Sequence, residues 1–296
     1  MNPSSLTSLD KHAVARAFAR AAAGYDAAAV LQQEIGARLM ERLTLMRLEP
    51  QRVLDLGCGA GRLTYLLRER YPRASLLGVD LTPAMLRVAR ASAPWTWPWQ
   101  ARVSWIAGDA ERLPLATGSC DLIVSNLMLQ WCEPDAVFAE CRRLLRPGGL
   151  LLFTTFGPDT LKELRTAWQQ ADGGVHVHDF IDMHDLGDAL LRARFADPVL
   201  DVEQLTLTYN DVGGLLRDLK AIGAHNAASE RPRALTGKAR FARFRAAYEQ
   251  FRTRDGRLPA SHEIVYGHAW APEPKRGEGQ GARGDDWKPI TILRRP

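Results

Sequence analysis

The chain has 296 residues, 39 of them Lys or Arg and 34 Asp or Glu, for a formal charge of +5; hydrophobic residues make up 46% and charged residues 25%. These proportions exclude a wholly disordered chain and a small scaffold that depends on disulfide staples, and they leave room for one large domain or two small ones. Six of the basic residues are Lys, which leaves 33 Arg; a genome-wide codon preference explains such a bias, and so does an acidic partner suited to forked guanidinium contacts.

In chain order, the N-terminal stretch lacks the continuous apolar core of a secretory signal, and Val14, Ala17, Phe18 and Ala21 recur at helical spacing, which predicts a docked helix. Strand and helix then alternate. Strands are predicted at 52–56, 75–80, 103–107, 122–125 and 150–156, and helices at 62–70, 83–91 and 135–145, the last stopped by Arg146-Pro147-Gly148-Gly149. Helical crossovers of this length require a mostly parallel sheet. Beyond it, helices are predicted at 158–170, 183–193, 212–222 and 238–252, and strands at 199–208 and 263–270. Residues 94–99 (PWTWPW) cannot be helix interior and read as a surface insertion; 271–296 read as a mostly flexible tail, within which 290–293 could pair as a strand. The four Cys, Cys58, Cys120, Cys132 and Cys141, form no Cys-x-x-Cys pair and read as reduced thiols of a cytoplasmic protein. No apolar run approaches the ~20 residues that span a bilayer, so no membrane partner is expected.

The most informative segment is VLDLGCGAG at 53–61, a strand running into Gly-x-Gly-x-Gly and then a helix. Gly57, Gly59 and Gly61 let the backbone turn tightly and approach a ligand. The spacing is not that of a dinucleotide fingerprint, and no Gly-Lys-Ser/Thr follows to hold phosphate. Asp55, two residues before the first glycine, suits an amino group. Asp80 ends the second strand, where an acid accepts ribose hydroxyls. Asp109, followed by Ala110, is placed to accept the exocyclic amine of adenine. A nucleoside with an amino-acid portion and no phosphate, S-adenosylmethionine, satisfies all three.

These residues resemble the class I S-adenosylmethionine-dependent methyltransferases over roughly 50–155, through VLDLGCGAG, GVDLTPAML, GDAERLP, DLIVSN and LLRPGGLLLF in order. The resemblance implies an α/β fold: a seven-stranded, mostly parallel Rossmann-like sheet with its last strand antiparallel, helices on both faces and a helical lid. It also implies cofactor contacts from Asp55, Gly57, Cys58, Gly59, Gly61, Asp80, Leu81, Asp109, Ala110 and Asn126. The remainder is similar to the malonyl-[acyl-carrier protein] O-methyltransferase family of biotin synthesis, in FARAAAGYDAAAVLQQEIGARLMERL, FGPDTLKELRTAW, HDFIDMHDLGDALLRARFADPVLD, LLRDLKAIGAHNA and YGHAW. That resemblance divides the chain into N-terminal helices over the cofactor pocket (1–49), a cofactor-binding core (50–156), a sheet-completing and lid or substrate region (157–270) and the tail (271–296). The implied reaction methylates the free carboxylate of a malonyl group on acyl-carrier protein, with malonyl-coenzyme A as a second candidate substrate and no nucleic-acid partner.

A malonyl carboxylate is ionised at neutral pH and needs no general base, and the chain carries no nucleophile–base constellation. Tyr25 is the first catalytic candidate, to orient the carboxylate or the methionine end; a packed aromatic reads the same way in sequence. Gln130 and Trp131 follow the fourth strand at the edge where open α/β sheets bind ligands, with Trp131 as a wall for the methyl group. Arg217 and Lys220 are candidates for the substrate's anionic groups, or simply a solvated helix face. Arg143, Arg146, Arg192, Arg194, Arg240, Arg243 and Arg245 are candidates for docking an acidic carrier. His176, His178, Asp179 and His184 have the residue types of a metal site, but not structural-zinc spacing, and no metal is expected. Another small-carboxylate or quinone methyltransferase, or a non-methylating assembly factor, would share the same frame.

Overall fold

A computed structural model of the chain describes residues 9–94, 102–224, 226 and 236–273. The Trp-rich segment at 95–99, the pairing expected at 290–293 and all of the tail past residue 273 lie outside the described residues. The strands are β1 (Arg52–Leu56), β2 (Ser75–Asp80), β3 (Val103–Ala107), β4 (Cys120–Asn126), β5 (Leu145–Phe156), β6 (Ala196–Tyr209) and β7 (Leu258–Trp270). They form one seven-stranded sheet in the order β3-β2-β1-β4-β5-β7-β6. β7 runs antiparallel to both its neighbours, and the other strands are parallel to one another. The seven-stranded, mostly parallel architecture is therefore as expected.

The central strands are apolar because both faces are covered. One face is packed by α3 (Val30–Leu43) and α4 (Arg62–Arg70), through Ile35, Leu39, Leu43, Leu63 and Leu67. The other is packed by α6 (Pro134–Leu144) and α8 (Met183–Arg192), through Phe138, Cys141, Leu144, Leu186 and Leu190. Asp182 caps α8 by accepting from the His184 N–H. α5 (Pro83–Ala91) begins at a proline, which fixes the backbone angle of the first turn.

Several boundaries differ from the sequence reading, each for a local reason. The Arg146–Gly149 stop does end α6, but β5 begins at once, at Leu145, which pairs with Cys120 across a register shift. Gly148 and Gly149 sit inside that irregular stretch and exchange hydrogen bonds with Ala271. The helix expected from residue 158 starts at Lys162 as α7 (Lys162–Asp172). Residues before it are held against β7 instead: the Asp159 N–H donates to Glu263 and the Leu161 N–H to the Ser261 carbonyl. β7 begins at Leu258 rather than 263, because residues 258–263 form a two-stranded ribbon with β6 past the end of β5. Pro259 is tolerated there, with no β5 strand beside it.

That ribbon carries a third cluster. α7, α9 (Val212–Ala221) and α10 (Lys238–Glu249) pack Leu164, Trp168, Leu215, Phe244 and Tyr248 against Leu258 and Ala260. Since β7 enters the sheet opposite Phe156, this helical group sits past the carboxyl ends of the parallel strands. The N-terminal α1 (Lys11–Ala21) and α2 (Tyr25–Ala28) reach the same edge. Asp10 caps α1, Lys11 is ion-paired to Asp109 just past β3, and α3 is tied to β6 by Arg38–Glu203 and Arg42–Asp201 pairs. The order of the strands reverses at β1 and β4, so the crevice between these two helical groups opens at the switch point of the sheet.

Phe153 lies over Gly267 on β7, where an added Cβ would come within 2.3 Å of its ring, and packs 5.3 Å from Phe138. Replacing this 1% exposed side chain in Phe153→Ala should lower the unfolding free energy by about 3–5 kcal/mol, read from urea denaturation midpoints.

Candidate functional site

The loop after β1 shapes the crevice. The Gly57 and Cys58 N–H groups both donate to the Val79 carbonyl, which pulls the loop against β2. Gly57 is at φ 78°, and a Cβ there would strike Met128 at 2.3 Å. Gly59 is at φ 52°, and its missing Cβ points toward the Tyr25 ring, leaving a cradle between them. Gly61 lies outside the crevice: it starts α4 and packs against Trp105 and Ala89, so its role is in turning the chain rather than in touching a ligand.

Asp80 ties the loop together and still has capacity to spare. One oxygen accepts the Gly59 N–H at 2.9 Å and the other the Thr82 N–H at 2.7 Å. A carboxylate has about four acceptor sites, so each oxygen can accept one more bond, as a vicinal diol requires. Asp55 is 2% exposed and accepts from the Thr64 hydroxyl at 2.5 Å. Burial pushes its carboxyl up to about 7, with the Asp80 charge adding to the effect and the Thr64 bond opposing it.

The crevice has two connected parts. The first, of about 730 Å³, is lined by Gly57, Gly59, Asp80, Leu81, Met85, Asp109 and Ala110, and by Lys11, Val14 and Phe18 of α1. The second, of about 560 Å³, is lined by Asp26, Gln32, Gln33, Asp55, Cys58 and Arg62. Gly57, Gly59, Tyr25 and Asn126 border both. The first part has the apolar walls and carboxylates of a nucleoside site, and the second has both the anion and the cation that an amino-acid end calls for. The Asn126 amide is committed to the framework: it donates to the Gln32 carbonyl at 2.9 Å and accepts from the Thr154 hydroxyl at 2.8 Å, which holds α3 to the sheet.

Asp109 is more occupied than its sequence position suggested. Its oxygens meet Lys11 Nζ at 2.8 and 2.6 Å, and one also accepts the Glu111 N–H at 3.1 Å. Lys11 also pairs with Glu111 at 2.6 Å. Burial lowers the Lys11 ammonium, but its hydrogen bonds to the two carboxylates outweigh this and leave it raised, a fixed positive charge at the crevice rim.

A third cavity, of about 770 Å³, adjoins the first across a wall of Phe18, Tyr25, Leu127 and Trp131, which line both. Its other residues include Phe156, Leu164, His178, Phe180, Leu219 and His262, and no Lys, Arg, Asp or Glu side chain lines it among the described residues. Phe18 meets Trp131 edge-on at 5.4 Å, and Trp131 lies 5.1 Å from His178. Burial, the Asp80 charge and the Asp26 charge raise the Tyr25 hydroxyl well above its ordinary range, so it stays protonated and acts only as a neutral phenol. The Gln130 amide donates to the Leu127 carbonyl at 2.6 Å and accepts from the Thr155 hydroxyl at 3.3 Å, which fixes the turn after β4 and leaves one N–H of this cavity-lining residue unused.

Arg217 and Lys220 are exposed on α9, and it is Leu219 and Ile222 that face the cavity. The helix puts them on its solvent side because its apolar stripe is spent on packing. His176, His178, Asp179 and His184 do not converge: His176 bonds Asp172 and stacks on Trp168, whereas His184 is exposed at the start of α8. Arg143, Arg146 and Arg192 are paired with Glu140, Asp121 and Asp135. Arg240 pairs with Asp172, the partner of His176, and Arg243 donates to the Ala171 carbonyl, so these two lie beside the third cavity. The sequence marks Phe18 only as a helix-face residue and His178 only as a metal-ligand type, and it does not single out Arg62, Met128 or His262, which carry no spacing signal.

The methyltransferase-domain family matches residues 54–153, the segment that holds the glycine loop, Asp80 and Asp109. A malonyl-[acyl-carrier protein] O-methyltransferase of Laribacter hongkongensis is 52% identical over 90% of this chain and 92% of its own length. One from Gallionella capsiferriformans is 50% identical over 90% and 93%. The fold is shared with a SAM-dependent methyltransferase from Thermotoga maritima, at a TM-score of 0.51, 16% identity and coverage of 87% of this chain and 99% of that one.

Asp55 gives the fold a pH dependence of known sign. Its folded value, about 7, lies above the 3.8 of a free carboxyl, so its contribution is full below pH 3.8 and is lost as pH rises toward 7. Asp55→Asn should remove that fall in stability, giving a flatter profile of denaturation midpoint against pH from about 4 to 7.

Proposed function

The chain belongs to the malonyl-[acyl-carrier protein] O-methyltransferase family, and from that membership we propose how its three cavities divide the reaction. The protein methylates the free carboxylate of malonyl-acyl-carrier protein, giving the malonyl methyl ester that primes biotin synthesis. The observation that carries the reading is the wall of Phe18, Tyr25, Leu127 and Trp131 shared by a nucleoside-shaped crevice and an uncharged cavity.

The crevice fits S-adenosylmethionine. The spare acceptor capacity of Asp80 suits the ribose hydroxyls, and Gly59 brings backbone to the border of both parts of the crevice. Asp55 and Arg62 suit the amino and carboxylate ends of methionine. Asp109 retains about one acceptor site for the adenine amine beside its bonds to Lys11 and Glu111. When bound, S-adenosylmethionine supplies a methyl group on a positively charged sulfur, which a carboxylate oxygen displaces directly.

The chain's own residues orient and desolvate. Tyr25, held protonated, donates to an attacking or product oxygen without removing a proton. Phe18 and Trp131 exclude water from the point of transfer, where water would screen the opposite charges. No Asp or Glu lines the acceptor cavity among the described residues, which suits a nucleophile that arrives already ionised. The segment to residue 49 acts as cover for the cofactor, 50–156 as its binding core and 157–270 as the acceptor region. Arg240 and Arg243 on α10 lie beside the acceptor cavity and suit an acidic carrier; malonyl-coenzyme A, presenting the same acyl group, is a second acceptor.

Incubating the purified protein with labelled S-adenosylmethionine should give a methyl ester on malonyl-acyl-carrier protein, more slowly on malonyl-coenzyme A and least on free malonate. Failure to label any malonyl thioester would overturn the reading. Tyr25→Phe should lower kcat by about tenfold, the worth of one hydrogen bond to a charged group, while S-adenosylhomocysteine affinity measured by calorimetry changes little.

A further inference from the structure

The acceptor cavity contains a buried polar atom that the fold does not satisfy. His178 is 5% exposed, and its Nε2 has no hydrogen-bond partner among the described residues. The ring is held in place by apolar contacts, with Trp131 at 5.1 Å and Phe180 at 4.8 Å. A buried imidazole nitrogen is seldom left in this state unless a ligand or a water meets it. His178 lines the cavity and lies one ring away from the wall that the cavity shares with the cofactor crevice.

Several other polar groups of the cavity already have partners. His262 donates from Nδ1 to the Ala260 carbonyl at 3.0 Å, so its neutral ring has only an acceptor left at Nε2. Burial lowers it to about 4, which keeps it neutral. His176 is bonded to Asp172 and stacked on Trp168. The Thr160 hydroxyl donates to the Glu263 carbonyl, and the Gln130 amide to Leu127. Tyr25 on the shared wall, the Gln32 amide, one Gln130 N–H and His178 are left to donate to an anion, and among the described lining residues only His178 has a fully buried polar atom without a partner.

We propose that His178 Nε2–H hydrogen-bonds the carboxylate oxygen of the acceptor that does not attack, and that this contact makes the cavity prefer acyl groups ending in a carboxylate. The inference rests on the functional reading above and adds to it the residue that recognises the acid. A neutral donor is the appropriate kind. The nearby Arg165 opposes protonation of His178 and Asp179 favours it, but burial dominates and lowers the ring to about 4. A neutral N–H positions the carboxylate while leaving its negative charge available for attack. A Lys or Arg there would form an ion pair that has to be weakened before transfer.

The test compares His178→Phe, which keeps an aromatic ring, with His178→Gln, which keeps an N–H near the position of Nε2. Malonyl-acyl-carrier protein is the substrate, and acetyl-acyl-carrier protein, which lacks the terminal acid, is a competitive inhibitor. His178→Phe should raise KM for the malonyl carrier by about tenfold or more, with acetyl-carrier inhibition and S-adenosylhomocysteine affinity each within about twofold of the parent. His178→Gln should recover part of the loss. An unchanged malonyl KM in His178→Phe overturns the inference, and so does equal weakening of malonyl and acetyl carriers, which marks a role in cavity shape. If His178→Phe no longer binds S-adenosylhomocysteine, His178→Leu and His178→Gln decide by the same malonyl-to-acetyl comparison. A parent protein that labels no malonyl thioester fails the functional reading instead, and that result is obtained before any variant is made.

Discussion

A carboxylate attacks a cationic methyl group best when neither charge has another partner, and the third cavity, proposed above to hold the acceptor, meets that constraint. Its described lining offers imidazoles, amides, hydroxyls and hydrocarbon, with no side chain of fixed charge. Burial reinforces this: it keeps His178 and His262 neutral and Tyr25 protonated. The charged groups are held on the cofactor side, where Asp80, Asp55, Arg62 and the Lys11–Asp109 pair surround the crevice. The separation has a structural origin. The carboxylates of the crevice sit at strand ends, where backbone N–H groups stabilise them, whereas the third cavity is lined mainly by apolar and aromatic side chains of helices and the segments between them.

That difference in construction decides what could be read from the chain. β1, β2, β3, α4 and α5 have the bounds that the sequence suggests, because each is a short segment closed off by Gly, Pro or Asp. β6 alternates between exposed and half-buried residues, and β7 runs past the sheet core in a ribbon, so their true ends carry no sharp change in hydrophobicity. That Asp55, Gly57, Gly59 and Asp80 share one crevice was legible for the same reason as the strands: they sit at strand ends, where position in the fold fixes their neighbours. Lys11 against Asp109 was not legible, because the contact joins residues 98 apart and depends on how α1 docks.

The acceptor cavity was the least legible part. His178 lies in an irregular stretch between α7 and α8, and its neighbours in sequence suggested metal ligation. Its actual environment comes from Trp131 and Phe180, the first of them far away in the chain. Arg217 and Lys220 drew attention because they carry charge, yet α9 contributes to the cavity through Leu219 and Ile222. Charge in a sequence marks a surface more readily than a pocket.

Phe18 and Tyr25 wall both the crevice and the acceptor cavity, and neither belongs to the sheet. They stand on the first helices of the chain, which are fastened across the crevice by Lys11 and, through Gln32, by Asn126. One partition therefore serves two compartments. A substitution that reshapes Phe18 or Tyr25 therefore alters both compartments together.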